Sequence, residues 1–411
     1  MPKRNDDFFK EKKIWSEVKD ELLGCYLLPY FNKILHTRKP ILYIDGFAGK
    51  GKFEDGKSGS PLTALDCLGA SITQFQGKHS MPTVSMKFIE LNHATNLSDN
   101  LSEEQKQCSE IISGKFEEQV IPLLQKAATA NRDQNVFLYI DPYGVKALNA
   151  ALFDALPGVF KTAELLINLN SWGFLRMAFA VKKTDFREST DELLKDLEEY
   201  DSSVVSTIEE INAIAGGDYW QDIVYRYNKN MINGYQAEKE FSQKYKLRLR
   251  EKYNYVLDMP IRLQSGHHPK YRMVYATNHP DGCILMADNI AARTDRLVYD
   301  VQRGGQMGLF EETAENEIIS QELLVQKARE ILDTYNDNIR LKAFLADFFN
   351  EFGVLCKSTR LRGADSVLAN LETDGYIEVK RTPDKTKTGK SSRFWEEKKD
   401  QTIEIKRKIQ P

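Results

Sequence analysis

The sequence predicts an α/β protein whose sheet is mostly parallel and covered by helices on both faces. Short apolar runs alternate with helical stretches, and they lie at residues 41–44, 84–89, 111–112, 135–140 and 164–168. Parallel strands buried on both faces read as such continuous apolar runs. The chain has 411 residues, of which 41% are hydrophobic and 28% charged. These values suit a globular protein of two domains, or one large domain with an appendage.

Helices are predicted before and between these strands, from apolar residues at helical spacing over 5–36 and from the start signal Ser60-Pro61. They cover residues 5–36, 60–67, 99–110, 116–124 and 147–156. An acidic helical stretch then breaks the alternation, and we interpret residues 182–250 as a helical insertion. Strands at 255–263 and 271–277 are close enough in sequence to form an antiparallel hairpin at the sheet edge, and a helix over 281–300 follows them.

The carboxy-terminal part reads as a separate small domain. Helices are predicted over 320–335, 340–351 and 364–373, followed by strands at 376–380 and 402–405. Three helices and a two-stranded wing predict a winged helix-turn-helix. The predicted boundaries are therefore a first domain over 1–303, an aperiodic linker over 304–318 and the winged helix over 319–411.

Charge is segregated along the chain, although the total is only −3. Residues 376–411 contain eleven Lys/Arg and six Asp/Glu, a net +5, which leaves −8 for the remainder. Phosphate contacts need such a basic face. The candidate nucleic-acid-binding residues are Arg360, Arg362, Lys380, Arg381, Lys385, Lys387, Lys390 and Arg393. The aromatic pair Phe394-Trp395 favours this interpretation, and a solvated tail or a dimerisation surface is the alternative.

Cysteine usage and hydropathy narrow the class of protein. The five cysteines are scattered, and none forms a CxxC pair. Zinc and iron–sulfur sites are therefore not expected, no metal is predicted, and a reducing cytoplasm is favoured. No window approaches about 18 uninterrupted apolar residues, so we expect no membrane span.

A glycine-rich turn after the first strand is the most informative segment. It reads Asp45-Gly46-Phe47-Ala48-Gly49-Lys50-Gly51. Phe53 stands where a phosphate-binding P-loop needs Ser or Thr, and the glycine order differs from that of dinucleotide-binding turns. The pattern acidic-x-x-x-G-x-G is the first motif of class I S-adenosylmethionine-dependent methyltransferases. We therefore predict that Asp45, Gly46, Phe47, Ala48, Gly49 and Gly51 bind S-adenosylmethionine in a Rossmann-like class I methyltransferase sheet. A tight turn without a ligand is the alternative.

Two further residues are candidates for cofactor binding. Glu90 ends the second strand, where a carboxylate could accept both ribose hydroxyls. Phe116 follows the third strand, where the adenine ring is usually flanked, and it could equally belong to the core.

An acidic-proline turn after the fourth strand provides the candidate catalytic residues Asp141, Pro142 and Tyr143. Methylation of an exocyclic amine needs an N–H acceptor, a turn that aims it, and an aromatic face for the base. The second proline of adenine and cytosine amino-methyltransferases is missing, and the turn resembles that of tRNA guanine dimethyltransferases. A plain turn capped by Asp141 is the alternative. Cytosine-C5 chemistry is excluded because no cysteine follows a proline.

Taken together, these motifs resemble the three-Cys-motif partner protein family, TcmP. The resemblance spans about residues 10–300 and includes Gly59-Ser60-Pro61, Phe88-Ile89-Glu90 and Leu166-Ile167-Asn168. It implies a methyltransferase-like fold and, as a partner, a radical-SAM-like three-cysteine protein encoded alongside, often in phage or mobile DNA. It also implies Asn168 and Arg176 as further site residues.

Three hypotheses follow. The first is a methyltransferase that acts on a base amine of DNA or tRNA. The second is a non-catalytic module that senses the cofactor or a nucleotide and delivers a partner enzyme to DNA. The third and weakest is a nuclease that holds a metal on Asp45, Glu90 and Asp141, whose separation along one edge disfavours a compact metal site.

Overall fold

The computed structural model describes residues 9–75, 80–142, 144–185, 207–262, 269, 271–296 and 319–408. The chain divides into two compact units, Met1–Asn278 and His279–Pro411.

The first unit is built on a seven-stranded sheet. Its strands are β1 (Ile41–Asp45), β2 (Val84–Glu90), β3 (Ser109–Ser113), β4 (Asn135–Ile140), β5 (Thr162–Leu169), β6 (Tyr255–Ile261) and β7 (Tyr271–Thr277). They are ordered β3-β2-β1-β4-β5-β7-β6. The first five strands are parallel to one another, whereas β7 is antiparallel to both of its neighbours. The predicted α/β class and the predicted hairpin at the sheet edge are confirmed.

Helices cover this sheet. They are α1 (Ile14–Ile34), α2 (Ser60–Phe75), α3 (Ala94–Asn100), α4 (Glu103–Cys108), α5 (Phe116–Ala130), α6 (Ala150–Val159), α7 (Ser171–Val181), α8 (Ile208–Ala215), α9 (Trp220–Asn228) and α10 (Gly234–Arg250), with a 3-10 turn at Leu35–Thr37. Every residue of β1 and β4 is buried, as expected for central parallel strands.

Some elements differ from the sequence prediction. The predicted helix over 99–110 covers the end of α3, all of α4 and the first residues of β3, and a capping box of Ser102 and Gln105 starts α4 anew. Helix α7 was not predicted. The described part of the insertion, from residue 207 onward, is helical, and residues 186–206 lie outside the described ranges.

Helix α1 is fixed across the sheet by a buried polar cluster. Tyr26 on α1 and Tyr275 on β7 both donate to Oε2 of Glu164 on β5, the second at 2.8 Å. Burial raises the pKa of Glu164, which favours the protonated form. This anchor sets α1 so that its first turns reach the carboxyl edge of the sheet.

The second unit combines helices with a small sheet. Its helices are α11 (Pro280–Arg296), α12 (Gln321–Leu332), α13 (Leu341–Phe352), α14 (Ser358–Leu361) and α15 (Val367–Thr373), and its strands are β8 (Ile339–Arg340), β9 (Ile377–Thr382) and β10 (Thr402–Arg407). The antiparallel sheet has the order β8-β10-β9. Strand β8 escaped prediction because two residues carry no periodicity.

The boundary between the units differs from the one placed by sequence. Helix α11 falls in the second unit, whereas the sequence assigned the helix over 281–300 to the first domain. The predicted linker, 304–318, lies outside the described residues.

Candidate functional site

The two motifs meet where the strand order of the sheet reverses. Strands β1 and β4 are neighbours, with Asp45 opposite Tyr139, and Asp141 follows two residues later. Strand β1 continues to β2 on one side and β4 to β5 on the other. Such a switch point opens a crevice outside the carboxyl ends of the strands, where open α/β sheets bind ligands. The candidate site is therefore defined by topology as well as by motif.

The glycine loop is tied to the strands on either side of it. Gly46 N donates to Tyr139 O at 2.9 Å, and Ala48 N donates to Ile89 O at 3.1 Å. Gly49 and Gly51 adopt φ of +63° and +74°, which L side chains rarely adopt. The loop therefore has one defined shape, and two of its glycines are required by backbone conformation.

Asp45 fixes the shape of this loop through hydrogen bonds to its carboxylate. Its carboxylate is fully buried and accepts from Phe47 N at 3.1 Å and from the Ser60 hydroxyl at 2.6 Å. Burial raises the pKa of Asp45 to about 7, although these two hydrogen bonds act to lower it. The sequence analysis expected Asp45 to bind the cofactor, but both of its oxygens accept hydrogen bonds from within the protein.

Asp45 gives a testable dependence of stability on pH. Because its pKa is higher in the folded than in the unfolded chain, the native state binds more protons, and stability falls as pH rises from about 4 to about 7. We expect Asp45→Asn to remove this term, so that the variant gains about 2–4 kcal/mol relative to wild type between pH 4 and pH 8. Urea denaturation across that range measures it. Parallel stability curves for the two proteins would show that Asp45 is ionised throughout.

Glu90 accepts hydrogen bonds from the backbone of the two loops around it. One oxygen accepts from Gly49 N at 2.7 Å, and the other accepts from Asn92 N at 2.8 Å and His93 N at 3.1 Å. A carboxylate has about four acceptor positions, so three are already in use. The prediction that Glu90 accepts both ribose hydroxyls does not fit this arrangement, because at most one position is left.

Aromatic rings cover two of the loop glycines. A Cβ on Gly46 would lie 2.7 Å from the Phe116 ring, and one on Gly49 would lie 3.1 Å from the Phe9 ring. Phe116 is 2% exposed and packs against Phe47, with ring centroids 5.1 Å apart. Of the two roles considered for Phe116, the structure therefore favours the core.

Asp141 lies in a cluster that sequence reasoning found only in part. Lys19 Nζ on α1 lies 2.8 and 2.7 Å from the two carboxylate oxygens, and Asn168 Nδ2 donates to Oδ1 at 2.6 Å. The Tyr139 hydroxyl is 3.4 Å from Oδ2. Asn168, implied by the family resemblance, is thus in contact with Asp141. Pro142 is buried beside it, and Tyr143 lies outside the described residues.

The start of α1 contributes the charged residues that the sequence analysis missed. Lys12 pairs with Asp20 at 2.6 Å and donates to Ser58 O, close to the glycine loop. Burial raises the pKa of Asp20 to about 6, while Lys12 acts to lower it. The available signal was helical spacing: Ser16 and Asp20 continue the stripe of buried Leu23 and Leu27 toward the amino terminus.

Two buried polar atoms at the crevice have no hydrogen-bond partner among the described residues. They are Asn168 Oδ1, in a side chain that is 2% exposed, and His93 Nε2. His93 follows Glu90 and has its ring 5.1 Å from that of Phe9. Unpartnered buried atoms are uncommon, and a ligand or a water molecule can satisfy them. The residues present are therefore compatible with a cofactor beside Glu90 and a polar substrate beside Asp141. Arg176, also implied by the resemblance, is half-buried on α7.

Most of the basic candidates lie on the surface of the second unit. Lys385, Lys387, Lys390 and Arg393 are exposed in the loop between β9 and β10, and that loop is closed by a bridge between Lys385 and Ser391. Arg360 lies on the short helix α14, and Arg362 directly follows it. Exposed Lys380 lies 3.8 Å from Glu404.

Arg381 and Trp395 belong to the packing of this unit instead. Arg381 is 9% exposed, forms two bonds of 2.8 Å to Glu372 and donates to Phe394 O. Its guanidinium also lies 4.8 Å from the ring centroid of Trp395, which is 8% exposed. The expectation that Arg381 contacts nucleic acid, and that Trp395 favours such contact, is corrected accordingly.

This assignment predicts different costs for two neighbours on β9. Arg381→Ala removes a bidentate pair and a ring contact, and we expect it to cost about 2 kcal/mol of folding stability. Lys380→Ala, one residue earlier and exposed, should change stability by less than about 0.5 kcal/mol. Urea denaturation of both variants makes the comparison. Equal stability of the two would contradict the structural role of Arg381.

The residues that the structure describes contain no group of three or more His, Cys, Asp or Glu side chains that could hold a metal ion. Nor does any helix in that part of the chain combine the length and apolar character needed to cross a bilayer.

Comparisons with known proteins add little. Neither a protein-family model nor a curated protein matches the sequence. A solved structure of loganic acid methyltransferase with SAH is similar at 10% identity and a TM-score of 0.29, over 71% of this chain and 84% of that one. A likeness of that size carries no argument, so the fold assignment rests on the sheet itself. Membership of the TcmP family stays a prediction.

Proposed function

We propose that this protein is an S-adenosylmethionine-dependent methyltransferase that acts on an amine of a nucleic-acid base. The observation that supports this most is the meeting, at one switch point, of the glycine loop after β1 and the Asp141 carboxylate after β4. A mostly parallel sheet with an antiparallel hairpin at its edge fits a Rossmann-like methyltransferase.

The cofactor would be held by the loop from Gly46 to Gly51, by the remaining acceptor position of Glu90 and by His93 Nε2. When bound, it supplies an electrophilic methyl group on a positively charged sulfur. The chain's own contribution on this side is a rigid loop whose shape is set by Asp45 and Glu90. Because Phe9 covers Gly49, its ring must move aside to admit a ligand at that glycine.

On the acceptor side, Asp141 would accept an N–H of the amine and hold the nitrogen lone pair toward the crevice. Asn168 orients the carboxylate through its Nδ2, and its unpartnered Oδ1 offers a second acceptor. A positioned carboxylate of this kind contributes to the rate by orientation and by receiving the proton that the amine loses.

The nucleic-acid target is proposed from the second unit. Helices α12, α13 and α15 with the β8-β10-β9 sheet are consistent with a winged helix. Its loop carries Lys385, Lys387, Lys390 and Arg393 exposed, as phosphate contacts need. DNA and tRNA are both consistent with this surface.

One observation favours a second candidate function. Phe9 and Phe116 fill the space over two loop glycines, and Lys19 occupies Asp141. A methyltransferase fold closed in this way could serve as a non-catalytic module that senses a cofactor or nucleotide. Its partner would then be the three-cysteine protein implied by the family resemblance. A metal-dependent nuclease is disfavoured because the carboxylate oxygens of Asp45 and Glu90 already accept hydrogen bonds from within the protein.

The deciding experiment combines calorimetric titration with S-adenosylmethionine and a labelled-methyl assay on DNA and on tRNA, using the full chain. Binding with methyl transfer is the expected result. Binding without transfer to either substrate would favour the sensing module. Absence of binding, with S-adenosylhomocysteine tested in parallel, would exclude both functions as stated.

A further inference from the structure

The Asp141 carboxylate has no acceptor position left for a substrate in this structure. A carboxylate offers about four such positions. Lys19 Nζ contacts both oxygens, Asn168 Nδ2 takes a second position on Oδ1, and the Tyr139 hydroxyl approaches Oδ2 at 3.4 Å. An incoming N–H can therefore bind only where one of these donors leaves.

Lys19 is the donor best able to leave. Asn168 and Tyr139 are short or rigid side chains on the central strands β5 and β4, and both are at least 98% buried. Lys19 is also buried, at 6% exposed, but its ammonium is carried on a flexible four-carbon stem from α1. Moving it needs new side-chain rotamers but no change in the strands.

The surroundings of this ammonium favour an amine. Lys19 Nζ lies 2.7 Å from Asp141 and 5.1 Å from the ring centroid of Tyr271 on β7, so a carboxylate and an aromatic face enclose it. Asp20 on α1 also interacts electrostatically with this ammonium and is itself paired with Lys12.

We propose that the Lys19 ammonium occupies the place of the substrate's amine, so that α1 carries an internal competitor for an amine site made by Asp141, Asn168 and Tyr271. The inference rests on the role given to Asp141 in the proposed function. It names the chemical class admitted: a primary or exocyclic amine, with N–H groups for the carboxylate and a flat or cationic group for the tyrosine ring. The unpartnered Asn168 Oδ1 supplies the second acceptor that such an amine needs.

Chemical rescue tests the proposal without requiring methyl transfer. Lys19→Ala in the full chain deletes three methylenes and the ammonium, which propylammonium replaces atom for atom. We expect the variant to have a lower Tm than wild type and to recover it saturably with propylammonium. Propanol lacks the charge and tetramethylammonium lacks the N–H groups, so neither should restore the Tm.

The lysine–aspartate pair at the amino end of β4 provides the control, because Asp141 follows the carboxyl end of that strand. Lys39 pairs with Asp133 at 2.7 Å, just before β4 begins, and both side chains are about 40% exposed. Lys39→Ala should show no recovery with propylammonium. The double variant Lys19→Ala/Asp141→Asn should also lose the recovery, because the carboxylate that holds the amine is gone.

Recovery that is specific to propylammonium and depends on Asp141 supports the proposal. No recovery in Lys19→Ala, equal recovery in Lys39→Ala, or recovery that persists without the Asp141 carboxylate would overturn it. Where Lys19→Ala does not fold, Lys19→Met retains the stem, and recovery of its Tm by ammonium ion, lost in Lys19→Met/Asp141→Asn, gives the same decision. A failed methyl assay with successful rescue would reject the enzyme but retain the amine site.

Discussion

Asp141→Asn is expected to lower methyl transfer by a factor of about 10²–10⁴, the range found when a positioned proton acceptor is lost. The substitution keeps the size of the side chain but turns one of its two acceptor oxygens into a donor. That donor would face Lys19 and Asn168, which already donate here. Affinity for S-adenosylmethionine should change little, because the glycine loop and Glu90 are untouched. Labelled-methyl rates and calorimetry on the same preparation separate the two effects.

Two further variants serve as controls for this prediction. Asp133→Asn changes an acidic residue that also pairs with a lysine, just before the same strand, and it should leave turnover unchanged. Glu90→Gln should show the opposite pattern, with weaker cofactor binding, since Glu90 accepts from Gly49, Asn92 and His93. If Asp141→Asn loses affinity instead of turnover, Asp141 is not the amine acceptor.

Reversing the charge of the three exposed loop lysines, with Lys385, Lys387 and Lys390 all replaced by Glu, should flatten the salt dependence of nucleic-acid binding. Each phosphate contact contributes a slope of about −0.9 in log K against log salt, so three lost contacts reduce the slope by about 2.7. At low salt the loss of affinity should be largest. Fluorescence anisotropy with a duplex and with tRNA at several salt concentrations measures both quantities.

A control with the same change in net charge is available in the first unit. Lys115, Lys126 and Lys161 are exposed there, and replacing them by Glu removes an equal amount of positive charge. That variant should retain most of the slope. Equal losses in the two triple variants would mean that overall charge, and not the loop between β9 and β10, governs binding.

Local patterns in the sequence were enough to predict the secondary-structure elements and the positions of the glycine loop and the acidic-proline turn. The runs at 135–140 and 164–168 became the central strands β4 and β5, because strands buried on both faces contain only apolar residues over several positions. Asp45 and Asp141 follow such strands, and parallel strands end at a common edge, so their proximity could be deduced. Strand β8 is too short to show a pattern, whereas α7 carries a signal that the sequence analysis missed, an Asn170 cap followed by apolar residues at helical spacing.

The sequence predicted the roles of individual side chains less reliably. Arg381 and Lys380 are adjacent basic residues, yet one is bound to Glu372 inside the unit and the other is exposed, because successive residues of a strand face opposite sides. Trp395 is likewise buried under that arginine. A count of basic and aromatic residues treats buried and exposed side chains alike, whereas their burial in the structure distinguishes them.

The sequence by itself determined the α/β class, the glycine turn after the first strand, and the acidic-proline turn after the fourth. Each of these depends on neighbours within a few residues, where backbone geometry follows from residue type. Only the tertiary structure decided that Lys19, 122 residues before Asp141, lies on its carboxylate, and that Phe9 and Phe116 cover the loop glycines. Those contacts arise from the way α1, the residues before it and α5 pack on the finished sheet, and packing between distant segments leaves no periodicity in the chain.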